Sequence, residues 1–139
     1  MFERLKQAFG LHTPKPTLPP EDRSSPPRPQ PTVVDVTDVD FADVVEASTQ
    51  LAVVDFWADW CEPCETMSTH VEFLAQDFGD KLLVAALDVD ENPATPSRFN
   101  VMGLPTLLFL RHGVEVERQV GIMPYEALQA KVERLLHEA

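Results

Sequence analysis

Hydrophobic spacing divides residues 33–139 into alternating strand-like and helix-like segments. Residues 32–36 form a short β-branched run, and Phe41, Val44 and Val45, at i, i+3 and i+4, predict a first helix after the acidic Asp38 and Asp40. Leu51–Trp57 is a near-continuous apolar run of strand length, the pattern of a strand covered on both faces. Met67, Val71, Leu74 and Phe78 then make a helical stripe that ends at Gly79. Residues 81–89 read as another buried strand, so strand, helix and strand form a βαβ crossover with parallel pairing.

A loop with Asn92, Pro93, Pro96 and Ser97, and a short helix, lead to a fourth strand at 106–110. Arg111-His112-Gly113 is a tight turn and Val114–Val120 alternates, which makes the last two strands a hairpin. Pro124 suits a helix N-terminus, and Leu128, Val132, Leu135 and Leu136 form that helix's apolar face. The fold class expected is α/β, a central mixed sheet flanked by helices.

Residues 1–32 follow another pattern. They hold five basic residues (Arg4, Lys6, Lys15, Arg23, Arg28), three acidic ones and 8 of the chain's 13 prolines. With little to bury, the stretch 13–32 is expected to be a semi-rigid, polyproline-II-like spacer outside the domain at 33–139. Ahead of it, Phe2, Leu5 and Phe9 share one face of a short helix over 2–10, too short to be stable alone. It is either a docking tag or a frayed terminus. Arg4 and Lys6 are not followed by the apolar stretch of a secretory signal, and Glu3, Glu21 and Asp22 speak against a transit peptide.

Charge narrows the function. The 139 residues carry 11 Lys plus Arg against 23 Asp plus Glu, and residues 33–139 alone stand at −14. That balance argues against nucleic-acid or anionic-membrane binding. The longest apolar run stops at Arg111, so a helical membrane span is not expected.

The only two cysteines stand in Trp60-Cys61-Glu62-Pro63-Cys64, where the second strand gives way to a helix. Unpaired N–H groups and the helix dipole favour a thiolate there, so Cys61 should ionise more readily than a free cysteine of pKa about 8.5. Pro63 fits the first turn, where its missing N–H costs nothing. Cys64, about one turn further in, can attack a mixed disulfide formed at Cys61. Zinc is a weaker reading: it takes four ligands, only two sulfurs exist, and His70 falls on another face of the helix. A purely structural disulfide would close too small a loop to stabilise much. Asp55, among Val53, Val54, Phe56 and Trp57, is costly unless it stays protonated, finds a partner or faces water at a strand end.

Residues 33–139 resemble the thioredoxin family throughout. Val54-Asp55-Phe56-Trp57-Ala58-Asp59-Trp60-Cys61-Glu62-Pro63-Cys64 is similar to its active-site signature and Gly103-Leu104-Pro105-Thr106 to its proline loop. Asp88-Val89-Asp90, Asn92-Pro93, the Gly113 hairpin and Val120-Gly121 follow in the family's order. The resemblance implies a protein-disulfide reductase with Cys61 as nucleophile, Cys64 as resolving thiol, Asp55 as the buried base for Cys64, and Pro105 as a cis proline beside them. It implies that Leu104 offers backbone hydrogen bonds to an extended substrate. Trp60, Glu62, Pro63, Met102, Leu104, Gly121, Ile122 and Met123 would then surround the cysteines as a docking surface, with core packing the better reading for Ile122 alone and Trp57 packed beneath the site.

No cofactor is implied beyond the redox-active Cys61–Cys64 disulfide, and no metal. Electrons would come from a separate reductase of the thioredoxin-reductase type, since the chain has no Gly-rich nucleotide fingerprint. The expected protein is a cytoplasmic monomer acting on protein disulfides, as two lone cysteines suit a reducing compartment. The alternatives are a thioredoxin-fold partner-binding module with secondary thiol chemistry, and a disulfide oxidase or isomerase.

Three positions depart from the family pattern. Glu62 replaces a common glycine and Glu65 follows; each carboxylate about 7 Å from sulfur in near-bulk water contributes roughly 0.6 kcal/mol. Cys61 should therefore be a weaker acid than the family norm, the couple at least as reducing, and acidic substrates disfavoured. Ala86 stands where many relatives have a lysine near the buried Asp, which should raise the pKa of Asp55. Thr69 replaces a helix-kinking proline.

Overall fold

A computed structural model of the protein describes residues 32–138. The expected Pro-rich extension, with its amphipathic segment over 2–10, lies outside the described residues. The described residues form five strands and three α-helices: β1 (Val34–Asp35), β2 (Leu51–Trp57), α1 (Glu62–Phe78), β3 (Leu82–Asp88), α2 (Ala94–Arg98), β4 (Thr106–Arg111), β5 (Val114–Val120) and α3 (Tyr125–His137). The sheet order is β1-β3-β2-β4-β5. β1 and β2 pair parallel with β3, while β4 pairs antiparallel with both β2 and β5.

The pleat sorts β2 into two cores, because successive side chains point to opposite faces. Leu51 and Val53 pack with Met67, Val71 and Leu74 of α1 and with Leu128, Val132 and Leu135 of α3. Ala52, Val54 and Phe56 pack on the other face with Phe41, Val45, Leu87 and Leu108. Burying a side chain of this size stabilises by about 1.5–3 kcal/mol. Asp55 follows Val53 by two positions, so the same alternation turns it toward α1.

Three elements depart from the periodicity. The run at 32–36 gives only a two-residue edge strand, Val34 and Asp35 opposite Ala85 and Ala86 of β3, with the Val36 N–H donating to the Ala86 carbonyl at 2.9 Å. The first expected helix is a five-residue π-helical turn, Ala42–Glu46, in which the Ala47 N–H reaches the Ala42 carbonyl at 2.9 Å. It starts from a reciprocal pair in which the Thr37 N–H donates to Asp40 Oδ1 and the Asp40 N–H to Thr37 Oγ1. The strand expected from Lys81 starts at Leu82, because Gly79–Lys81 forms a 3-10 turn after α1. Gly79, at φ +55 and ψ −128, takes a positive-φ backbone open chiefly to glycine, and α1 ends there.

Turn chemistry accounts for the hairpin. His112 and Gly113 both have positive φ, at 50° and 79°, and join Arg111 to its partner Val114 in a two-residue loop. Parallel β2 and β3 end on the side of the sheet where β4 begins and β5 finishes. The loops after β2, β3 and β5 and the loop before β4 therefore gather at one end of the sheet.

Candidate active site

The chain leaves β2 at Trp57, and the Cys61 N–H donates to the Ala58 carbonyl at 3.2 Å in a tight approach to α1. Cys61 is the N-cap residue, with extended φ −95° and ψ 101°, and Pro63 sits within the first turn. A proline is tolerated there because the first N–H groups of a helix have no intrahelical partner. The Cys64 N–H donates to the Cys61 carbonyl at 3.2 Å. With their Cα atoms 5.3 Å apart, the two cysteines form a disulfide. Their exposures, 5% and 3%, do not separate them, but their positions do: Cys61 caps the helix and Cys64 lies one turn inward.

Behind the disulfide is a cleft of about 390 Å³, lined by Cys61, Cys64, Asp55, Trp57 and Ala86 among others. Asp55 is 1% exposed and its Oδ1 has no hydrogen-bond partner. Burial alone pushes its pKa up from 3.8 to about 7. Ala86, its register partner on β3, presents a methyl group where a cation would have held the carboxyl low.

The Leu104–Pro105 peptide bond is cis and Pro105 is buried. The Gly121 N–H donates to the Pro105 carbonyl at 2.8 Å, which ties the end of β5 to the proline loop. Trp60 and Met102 are 69% and 93% exposed, and the Trp60 indole N–H donates to Asp90 Oδ2 at 3.0 Å. Ile122, for which core packing was the better expectation, is 47% exposed because the chain leaves the sheet at Val120 and Gly121 turns at φ +85. Met123 is partly buried against the α1 and α3 core. Glu62 and Pro63 are exposed, while Leu104 and Gly121 are half-buried. Trp60, Met102 and Leu104 share a second groove, about 400 Å³, with Val89 and Pro93.

The thioredoxin family model matches residues 32–134. The thioredoxin of Bacillus subtilis (strain 168) is 44% identical over 104 residues, which cover 75% of this chain and 98% of that protein. The chain belongs to the thioredoxin family. The thioredoxin of Staphylococcus aureus (strain Mu50) is 43% identical over the same length, with the same coverage of each chain. With its cysteine pair, the chain is a thiol–disulfide oxidoreductase of the protein-disulfide reductase type, and a binding module with secondary thiol chemistry is not favoured. Thioredoxins need no cofactor beyond the redox-active disulfide. No described helix is long and apolar enough to cross a membrane.

Several residues around the site escaped the sequence reading. Asp90 anchors the Trp60 ring, and Asp35, Ser68 and Glu72 line the cleft. Glu65, Ser68 and Glu72 recur at i, i+3 and i+7, so a polar stripe on the cleft side of α1 was there to be found. Asp35 carries no such signal, and Asp90, although part of the Asp88-Val89-Asp90 motif, has no spacing that points to Trp60; tertiary pairing alone brings them in.

Proposed function

We propose that reduced Cys61 attacks one sulfur of a protein disulfide and that Cys64 then attacks the mixed disulfide at the Cys61 sulfur. One substrate sulfur leaves at each step and takes up a proton, so two electrons and two protons pass to the substrate and the Cys61–Cys64 disulfide forms. Asp55 accepts the Cys64 proton as that thiol becomes the second nucleophile. A carboxyl with a pKa near 7 is poised to do this at neutral pH. Pro105 and the Leu104 backbone, in the loop before β4 at the same end of the sheet as the disulfide, align an extended substrate segment. Trp60, Met102, Gly121 and Ile122 present its apolar footing, with Glu62 and Pro63 at the rim.

The observation that carries this reading is the disulfide at the start of α1 backed by a buried, unpartnered carboxyl. A separate thioredoxin-reductase-type enzyme would return the disulfide to the dithiol, and the protein would act as a cytoplasmic monomer. Reduction of insulin disulfides, followed by turbidity, tests it. Turnover is expected in the wild type and lost in Cys61→Ser. Turnover undiminished in that variant would contradict the reading, and a strongly oxidising potential would favour an oxidase or isomerase.

A further inference from the structure

The cleft behind the disulfide holds more charge than proton transfer requires. Asp35 of β1, Asp55 of β2, Asp59 of the following loop, and Glu65 and Glu72 of α1 all line it, and among the described residues no lysine or arginine does. β3 contributes only Ala86, which stands in register with Asp35 on one side and Asp55 on the other, and β4 sets Leu107 opposite Asp55. The Asp55 carboxyl is almost wholly buried, and its Oδ1 is left without a donor.

The domain's own cations are committed elsewhere. Arg98 pairs with Glu46, Arg118 with Glu115, and Lys131 and Arg134 with Glu117. Arg111 donates to the Leu135 carbonyl, and Lys81 lies before β3, at the opposite end of the sheet from the disulfide. Among the described residues, the cleft thus has room, a buried acceptor without a donor and a negative field that no cation offsets. Those three features specify an elongated cation with an apolar stem: Val33 and Val71 on the wall can cover methylenes while the charged head reaches the carboxylates.

Building on the proposed function, we infer that this cleft is a subsite for a lysine or arginine side chain of the disulfide-bearing polypeptide. Cys61 itself lines the cleft, so the sulfur that takes up the substrate is part of the cleft wall. The incoming ammonium or guanidinium occupies the space beside Ala86 and holds Asp55 in its ionised, proton-accepting form. A basic substrate thereby completes the machinery that releases it.

The test uses the full chain and three disulfide-linked peptides that differ only in carrying Lys, Gln or Glu beside the cystine. At low ionic strength kcat/KM for the Lys peptide should exceed that for the Gln peptide about tenfold, with the Glu peptide slowest. The half-maximal pH of the resolving step should lie lower with Lys than with Gln, which long-range steering alone would not produce. Ala86→Lys fills the cleft from within and should cut the Lys-over-Gln ratio to below about twofold. Glu72→Gln, at an exposed position of α1, should lower the ratio without filling the space. Equal rates for the Lys and Gln peptides, or a ratio that both variants leave intact, overturn the subsite while the reductase reading stands. Reduction of none of the three overturns that reading, and the subsite with it.

Discussion

Asp55 and Cys64, on different elements and both nearly excluded from solvent, line the same cleft behind the disulfide. The pleat of β2 turns Asp55 toward α1, and the first turn of α1 carries Cys64 inward. Only Ala86 on the neighbouring strand stands where a compensating charge would fit.

That placement costs stability, in a pH-dependent way. Below about pH 4 the Asp55 carboxyl is protonated in both folded and unfolded chains, and the penalty for burying its charge vanishes. Between there and about pH 7 the unfolded chain ionises while the folded one holds its proton, so stability falls as pH rises. Above pH 7 the penalty is complete, on the order of 4 kcal/mol for a pKa raised from 3.8 to about 7. Urea unfolding of the oxidised protein should therefore show Asp55→Asn more stable than wild type at pH 8 and similar to it at pH 4. Equal stability of the two at pH 8 would mean that Asp55 is not ionised against its surroundings.

A cation restored beside Asp55 reverses the shift. In Ala86→Lys the ammonium favours the carboxylate, so the rate of mixed-disulfide resolution should reach its plateau at lower pH than in wild type. Asp35, Asp59, Glu65 and Glu72 also face the cleft and would share the new charge, which limits the displacement. Superimposable pH profiles would show that Asp55 does not take the Cys64 proton.

Glu62 and Glu65 occupy the first turn of α1 and compete with the Cys61 thiolate for the positive end of the helix. Removing one should ease thiolate formation and make the couple less reducing. For Glu62→Gly, redox titration should give a potential less negative by on the order of 10 mV. A more negative potential would contradict this electrostatic account.

Asp38 ties two loops together near the sheet edge. It accepts hydrogen bonds from the Ala94 and Thr95 N–H groups and the Thr95 hydroxyl, at 3.0, 2.8 and 2.7 Å. Burial pushes its pKa up, but the bonds from Thr95 and Ala94 together outweigh this and hold it below the usual carboxylate value. Its contribution is therefore present near neutrality and lost on acidification. Asp38→Ala should cost about 2 kcal/mol by denaturant unfolding at pH 7 and much less at pH 3. A cost independent of pH would point to packing instead.

Most of the frame was legible because its signals are local. The run from Leu51 to Trp57, the Met67, Val71, Leu74 stripe and the Arg111-His112-Gly113 turn each declare an element within a few residues. The π-helical turn at Ala42–Glu46 did not, since Phe41 and Val45 are spaced alike in an α-helix and are both buried here. Thr69 was a local departure with a small result: its hydroxyl bonds back to the Glu65 carbonyl and α1 runs unbroken through it.

The site divides the same way. Cys61, Cys64, Asp55 and Pro105 lie in contiguous motifs, and the structure brings them to one end of the sheet. The acidic wall around Asp55 was harder to see, because Asp35 reaches it only through the β1–β3 register. Ile122 departs from expectation for the opposite reason: an apolar residue after a strand reads as core, yet the turn at Gly121 leaves it 47% exposed.

The most direct measurement is the rate of iodoacetamide alkylation of each cysteine in the reduced protein, resolved by mass spectrometry and followed from pH 5 to pH 9. Cys61 is expected to react at pH 7 well above the rate of free cysteine, with Cys64 far slower. A Cys61 rate no greater than that of free cysteine at pH 7 would contradict the central claim that the start of α1 poises this sulfur for attack.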